Sequence, residues 1–181
     1  MDVAREIGGG VRLAPLVEEH AAEALRVFNE HVTSGFAAYP EEPVPEAVIV
    51  GLLRSAAGYP AFAAEDAEGR FIGFGLLRPY STVSVFAGTA VTSIFLSSAH
   101  TGRGVGSAIL RALLDEAKNK GITKVLAHVS SRNPRSVEFH RKRGFVECGR
   151  FPGVACKWGH AFDILWMVKD LASVTEEAAS D

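Results

Sequence analysis

Apolar and polar positions along this chain switch between two periods, and each switch marks an element. Val11-Arg12-Leu13 reads as a short strand, and from Pro15 to His31 the apolar residues Leu16, Ala21, Leu25 and Phe28 recur at helical spacing. A turn-rich stretch around Thr33 to Pro45 leads into a second helical pattern, Glu46 to Ala57, stopped by Gly58 and Pro60. Ala61 to Glu65 and Phe71 to Leu77 read as strands joined by a hairpin turn over Asp66 to Gly69, and Thr89 to Leu96 is a further strand rich in Thr, Val, Ile and Phe. The longest amphipathic pattern, Gly104 to Lys120, puts Val105, Ala108, Ile109, Ala112 and Leu113 on one face and stops at Gly121. Lys124 to Val129 is a strand, Pro134 to Arg143 a helix closed by Gly144, and Phe145 to Arg150 and Phe162 to Val168 are the last two strands. The alternation predicts an α/β fold with a mixed central sheet flanked by helices.

Composition narrows the class. With 181 residues, 48% hydrophobic and 22% charged, the chain can bury a core without disulfides or metals. The expected division is a flexible tail over residues 1–10 around Gly8-Gly9-Gly10, one domain over 11–171, and a small, acidic tail over 172–181. No run approaches roughly 18–20 apolar residues, and Met1 to Glu6 lacks the basic-then-apolar order of a signal peptide, so a soluble, cytoplasmic protein is expected. The 19 basic and 21 acidic residues leave a net charge of −2, too little to recruit nucleic acid or an anionic membrane. Any anion must be bound locally. Cys148 and Cys156 form neither a disulfide framework nor a metal-ligand cluster, and no metal is expected.

The chemistry concentrates where the Thr89–Leu96 strand runs through Thr101-Gly102-Arg103-Gly104-Val105-Gly106-Ser107 into the long helix. The first amides of a helix lack intrahelical partners and carry the positive end of its dipole, so residues Gly102 to Ser107 can hold a phosphate, with Arg103 adding a charge-assisted contact. A Walker A loop would need Lys after its last glycine, where Ser107 stands. A Rossmann turn would need a third glycine where Ser107 or Ile109 stands, and an acid after the next strand, where Val129 and Ser130 lie.

Thr101 to Gly106 instead resembles the Q/R-x-x-G-x-G/A coenzyme A loop of the GCN5-related N-acetyltransferases, with Thr101 in place of Gln or Arg. Asn133-Pro134-Arg135-Ser136-Val137-Glu138-Phe139-His140 followed by Gly144-Phe145 resembles the same family's N-x-x-A-x-x-x-Y…G-F helix. Within the family the chain is most similar to the phosphinothricin and methionine-sulfoximine acetyltransferases: His100 begins their H-x-x-x-G-x-G version of the loop, His140 stands where they replace tyrosine, and Lys157 to Asp163 resembles their K-x-G-x-x-x-D hairpin.

The resemblance implies acetyl-CoA as cosubstrate, held by Ile94, Phe95 and Leu96, by Gly102 to Ser107, and by Asn133, Ser136, His140 and Lys142. It implies direct acetyl transfer, in a ternary complex, to the primary amine of a small molecule such as an amino acid or analogue, with Phe36, Tyr39, Arg78, Tyr80 and Val91 on the substrate side. A homodimer is implied as well. One position departs: relatives carry a glutamate at the start of the central strand, and Val91 cannot accept a proton. His140 as general acid and Glu65 as a replacement carboxylate are the catalytic candidates, and two readings stand beside the enzyme, a catalytically silent coenzyme A-binding sensor and a polyamine or peptide acetyltransferase suggested by Glu41, Glu42 and Glu46.

Overall fold

A computed structural model describes residues 5–7 and 10–172. Its strands are β1 (Arg5–Glu6), β2 (Arg12–Pro15), β3 (Ala61–Glu65), β4 (Phe71–Pro79), β5 (Thr89–Leu96), β6 (Lys124–Ser130), β7 (Val146–Lys157) and β8 (His160–Asp170), and its helices α1 (Ala21–Ser34), α2 (Glu46–Ser55), α3 (Val105–Asn119) and α4 (Pro134–Arg141). The strands form one sheet in the order β1-β2-β3-β4-β5-β6-β8-β7, every pair antiparallel except β5–β6. This is the mixed sheet that the alternating pattern predicts.

Two cores cover its two faces. Against α1 and α2, the sheet packs Phe71, Phe74 and Leu76 with Val27 and Ile49; against α3 and α4 it packs Leu77, Ala90, Val125 and Ala127 with Ile109, Leu113 and Val137. From Phe74 to Leu77 along β4, and from Ile94 to Leu96 along β5, alternate residues therefore serve opposite cores, as the period of two requires. Gly75 marks where α3 crosses closest: any Cβ there would overlap the Ile109 side chain.

The structure departs from the sequence expectations at three places. Arg5–Glu6 pairs with Arg12 and Leu13 as an edge strand, inside the stretch expected to be a tail, while residues 1–4, 8–9 and 173–181 lie outside the described residues. The first helix starts at Ala21 and not at Pro15, because the Leu16 amide donates to the Ala61 carbonyl at 3.0 Å and keeps residues 15–16 on the sheet. β7 runs to Lys157, past the expected end at Arg150, through two register shifts. It turns into β8 over Trp158 (φ 52°) and Gly159 (φ 75°), the pair of left-handed residues that a two-residue hairpin demands.

Candidate active site

β5 and β6 run side by side only from Thr89↔Lys124 to Val91↔Leu126. Beyond that pair they splay, leaving one edge of Thr92–Leu96 without a strand neighbour and opening a cleft of about 1490 Å³ between β5, β6, α1, α3 and α4. The cleft has two ends of different construction.

At one end is the glycine turn. Gly102 (φ 77°) and Gly104 (φ 85°) are left-handed, a conformation costing other residues roughly 1–2 kcal/mol. That backbone path leaves the N–H groups of Gly102, Arg103, Gly104, Val105 and Gly106 without any acceptor among the described residues, the first intrahelical-type bond being Ser107 N–H to the Gly104 carbonyl at 3.0 Å. Consecutive unpaired amides at a helix start form an anion cradle. A Cβ on Gly106 would lie 3.4 Å from both Leu96 and Phe139, so this glycine keeps the turn close to β5 and α4. Cations surround it: Arg143 donates to the Ser107 hydroxyl and lies 3.9 Å over the Phe139 ring, while Arg135 and Lys142 line the same wall.

α4 forms the wall next to this turn. Asn133 caps it, its side-chain oxygen accepting from Ser136 N–H at 3.1 Å, which leaves the amide NH₂ free toward the cleft it lines. His140 is buried, and its Nδ1 lies 2.8 Å from the Ser136 carbonyl. A carbonyl only accepts, so Nδ1 carries the hydrogen and Nε2 the lone pair. Burial pushes the His140 pKa down, with the Ser136 carbonyl working against it and the Arg143 charge adding to the depression.

At the other end, side chains from distant segments converge. Lys157, wholly buried, donates to the carbonyls of Val32 (2.7 Å), Gly35 (2.7 Å) and Ala38 (2.8 Å), tying the segment after α1 to the β7–β8 hairpin. Glu41 extends the tie by accepting from Trp158 N–H at 2.6 Å. The anchored loop carries Phe36 against Trp158 and Phe162 (centroids 5.9 and 5.5 Å) and Tyr39 against His128. Arg78 stands on β4 directly across from Val91 and forms no ion pair among the described residues. His31 closes the α1 wall, its Nε2–H donating to the Leu96 carbonyl at 2.7 Å.

Of the residues singled out in the sequence, Ile94, Phe95, Leu96, Gly102, Gly104, Gly106, Ser107, Asn133, Ser136, His140, Lys142, Phe36, Tyr39 and Arg78 line this cleft. Five do not. Glu65 sits at the far end of β3, held by Arg12, which excludes it as a replacement base. Val91 is buried in the sheet, its exposure only 1%. Tyr80 is exposed outside the cleft and packs on Phe86 and Trp166. The Arg103 side chain points into a second groove with Asp66, Arg70 and Arg111, leaving the cationic role to Arg143, and Val105 turns into the core so that only its amide faces the turn. Arg143, Arg135 and His128 escaped the sequence reading. For Arg143 a signal existed, three cations closing a helix beside Gly144, but the same run also suits a helix dipole.

The profile of the Acetyltransferase (GNAT) family matches residues 18–145. The chain is 30% identical over 149 residues to an L-methionine sulfoximine/L-methionine sulfone acetyltransferase of Pseudomonas paraeruginosa, covering 81% of this chain and 87% of the relative. It is 31% identical over 126 residues to the L-amino acid N-acyltransferase MnaT of Escherichia coli, covering 70% and 73%. Among solved structures, a phosphinothricin acetyltransferase from Sinorhizobium meliloti in complex with AcCoA superposes with a TM-score of 0.83 at 26% identity, over 89% of this chain and 88% of that one. A splayed central strand pair, an amide cradle at the following helix and a profile match over most of the fold agree: this chain belongs to the GCN5-related N-acetyltransferase family and is an acetyltransferase.

Proposed function

We propose that this enzyme transfers an acetyl group from acetyl-CoA to the primary amine of a small, amino-acid-like molecule, by direct attack in a ternary complex. The observation that carries this reading is the division of one cleft into an anion cradle and an aromatic pocket that holds two cations without an ion pair among the described residues, Arg78 and, over the Phe36 ring at 5.4 Å, Arg132. The residues present suit acetyl-CoA: the Gly102–Gly106 amides with Arg143, Arg135 and Lys142 match a pyrophosphate, and the open edge of Ile94–Leu96 with Asn133 and Ser136 matches the amide-bearing pantetheine arm. Bound there, acetyl-CoA supplies an acyl group activated as a thioester.

The chain's own side chains then select and orient the acceptor. Arg78 offers a fork for a carboxylate or an analogous anionic group, and Phe36, Tyr39 and Trp158 supply apolar walls for the remainder. We reassign His140 from proton donor to hydrogen-bond acceptor, because its hydrogen is committed to Ser136 and its lowered pKa keeps the ring neutral. The polyamine alternative loses its support: Glu41 is engaged by Trp158, and neither Glu42 nor Glu46 lines the cleft. Pairing of two copies, implied by the resemblance, would use the long edge strand β7, where Phe151 and Val154 are exposed.

The test is thiol release from acetyl-CoA across a panel of amino acids, their sulfone, sulfoximine and phosphinic analogues, polyamines and peptides. Turnover with an anionic amino acid analogue and none with polyamines is expected. Tight acetyl-CoA binding without turnover on any amine would make the chain a coenzyme A-binding sensor instead.

A further inference from the structure

Val91 leaves the start of β5 without a group that can take a proton. An aliphatic ammonium, ordinarily near pKa ~10, must lose one before its nitrogen can attack a thioester. The register of the sheet points to the replacement. Val91 lies beside Leu126 on β6, and two residues further along, on the same face, stands His128. It lines the cleft, with Trp166 (centroids 5.2 Å) and Tyr39 (5.6 Å) against its ring.

The hydrogen bonds select its tautomer. Tyr39 Oη lies 3.2 Å from the His128 carbonyl oxygen and 3.0 Å from His128 Nδ1. Tyr39 has one hydrogen to give; with it on the carbonyl, which can only accept, Nδ1 carries the hydrogen that bridges to Oη. Nε2 is left with a free lone pair. It has no partner among the described residues, yet the only buried unpaired side-chain atoms there are Thr92 Oγ1 and Arg143 Nε, so Nε2 opens on the cleft.

We propose that His128 is the catalytic base of this enzyme, taking over on β6 the role that Val91 cannot fill on β5, with Tyr39 as the residue that positions it. The proposal rests on the acetyltransferase reading above. His128 Nε2 takes one proton from the substrate R–NH₃⁺, giving an imidazolium and R–NH₂. The amine lone pair forms the C–N bond to the acetyl carbon as the C–S bond breaks, its electron pair leaving on sulfur. A second proton from nitrogen goes to that sulfur, giving the amide and the free thiol, and the imidazolium returns its proton to solvent.

The surroundings suit a base that works at neutral pH. Burial, then the positive charge of Arg78 on β4, hold the His128 pKa below the ordinary histidine value. Tyr39, on the loop before α2, is the other titratable group against it; burial pushes its pKa up, so it stays a phenol and cannot serve as the base. Trp166 on β8 is neutral.

The experiment uses the full chain with the amine identified by the panel. His128→Gln should lower kcat by about 100-fold or more, within the range of general-base catalysis, while the acetyl-CoA Kd measured calorimetrically stays within about twofold. The acidic limb of the wild-type kcat profile, where imidazole becomes protonated, should vanish in that variant and persist in His31→Gln. Tyr39→Phe should lower kcat by about tenfold at unchanged KM. Independently of turnover, ¹⁵N NMR of the wild-type imidazole should show a neutral ring protonated on Nδ1. A His128→Gln enzyme that keeps its kcat and acidic limb, or a wild-type ring protonated on Nε2, overturns the assignment. A wild type that acetylates no amine overturns the acetyltransferase reading, and this inference with it.

Discussion

The two ends of the cleft are built from different materials. The cofactor end is main chain: a cradle of amides that exists because Gly102 and Gly104 adopt left-handed φ and because α3 begins there without a side-chain cap. The acceptor end is side chain: Phe36 and Tyr39 from the loop after α1, Arg78 from β4, His128 from β6 and Trp158 from the hairpin, with one buried lysine tying that loop to that hairpin. Backbone recognition suits a ligand shared across a family, since amides do not change with the residue that carries them. A side-chain pocket can change one wall at a time, and here the proton acceptor itself can shift from one strand to its neighbour.

The sharpest way to break this comparison is Gly104→Glu. A Cβ at Gly104 meets no atom within 4 Å, so the fold bears only the backbone strain of about 1–2 kcal/mol, while a carboxylate enters the cradle. Acetyl-CoA affinity should fall by at least about 100-fold, some 2.7 kcal/mol, in a titration calorimeter, with the unfolding midpoint moved only slightly. Unchanged affinity would remove the cradle from the cofactor site.

Lys157→Met strikes the opposite end. Three carbonyls, two of them buried, lose their shared donor, so stability should drop by about 3 kcal/mol or more in urea unfolding. In the folded fraction KM for the amine should rise by about tenfold while acetyl-CoA affinity holds. Equal damage to both ligands would mean that the two ends are not separately built.

The smallest effect is a pH dependence with one contribution from each end. His140 and His128 both have lowered pKa values in the folded protein, so below the ordinary histidine value the unfolded chain binds more protons. Stability should therefore be level above about pH 6.5 and fall as the pH drops from there toward the lowered values. Urea unfolding between about pH 5 and 7.5 should show this slope reduced by His140→Asn and reduced separately by His128→Gln.

Legibility in the sequence follows the same division. The mixed sheet, the long α3 and the glycine turn were readable because each rests on local rules: period, caps, and the glycines that a left-handed path demands. The hairpin at Trp158-Gly159 and the stretch before α1 were misjudged in extent, since a register shift and a single amide bond to Ala61 leave no local pattern. Glu65 suited a missing carboxylate because it ends a strand expected next to the central one, but the sheet order puts β4 between β3 and β5 and leaves Glu65 against Arg12.

What the sequence determined by itself was the glycine turn, because a run of residues contiguous in the chain is also contiguous in space there. What only the tertiary structure decided was the acceptor end. Tyr39 and His128 are separated by 89 positions, and Lys157 reaches Ala38 across 119. Neither pair carries a periodic or spacing signal, and in sequence His128 is one polar residue in an apolar strand. It becomes a candidate base only when β5 and β6 part, and when the face of the sheet shared with Val91 gives it a cleft, a phenol and an unpaired nitrogen.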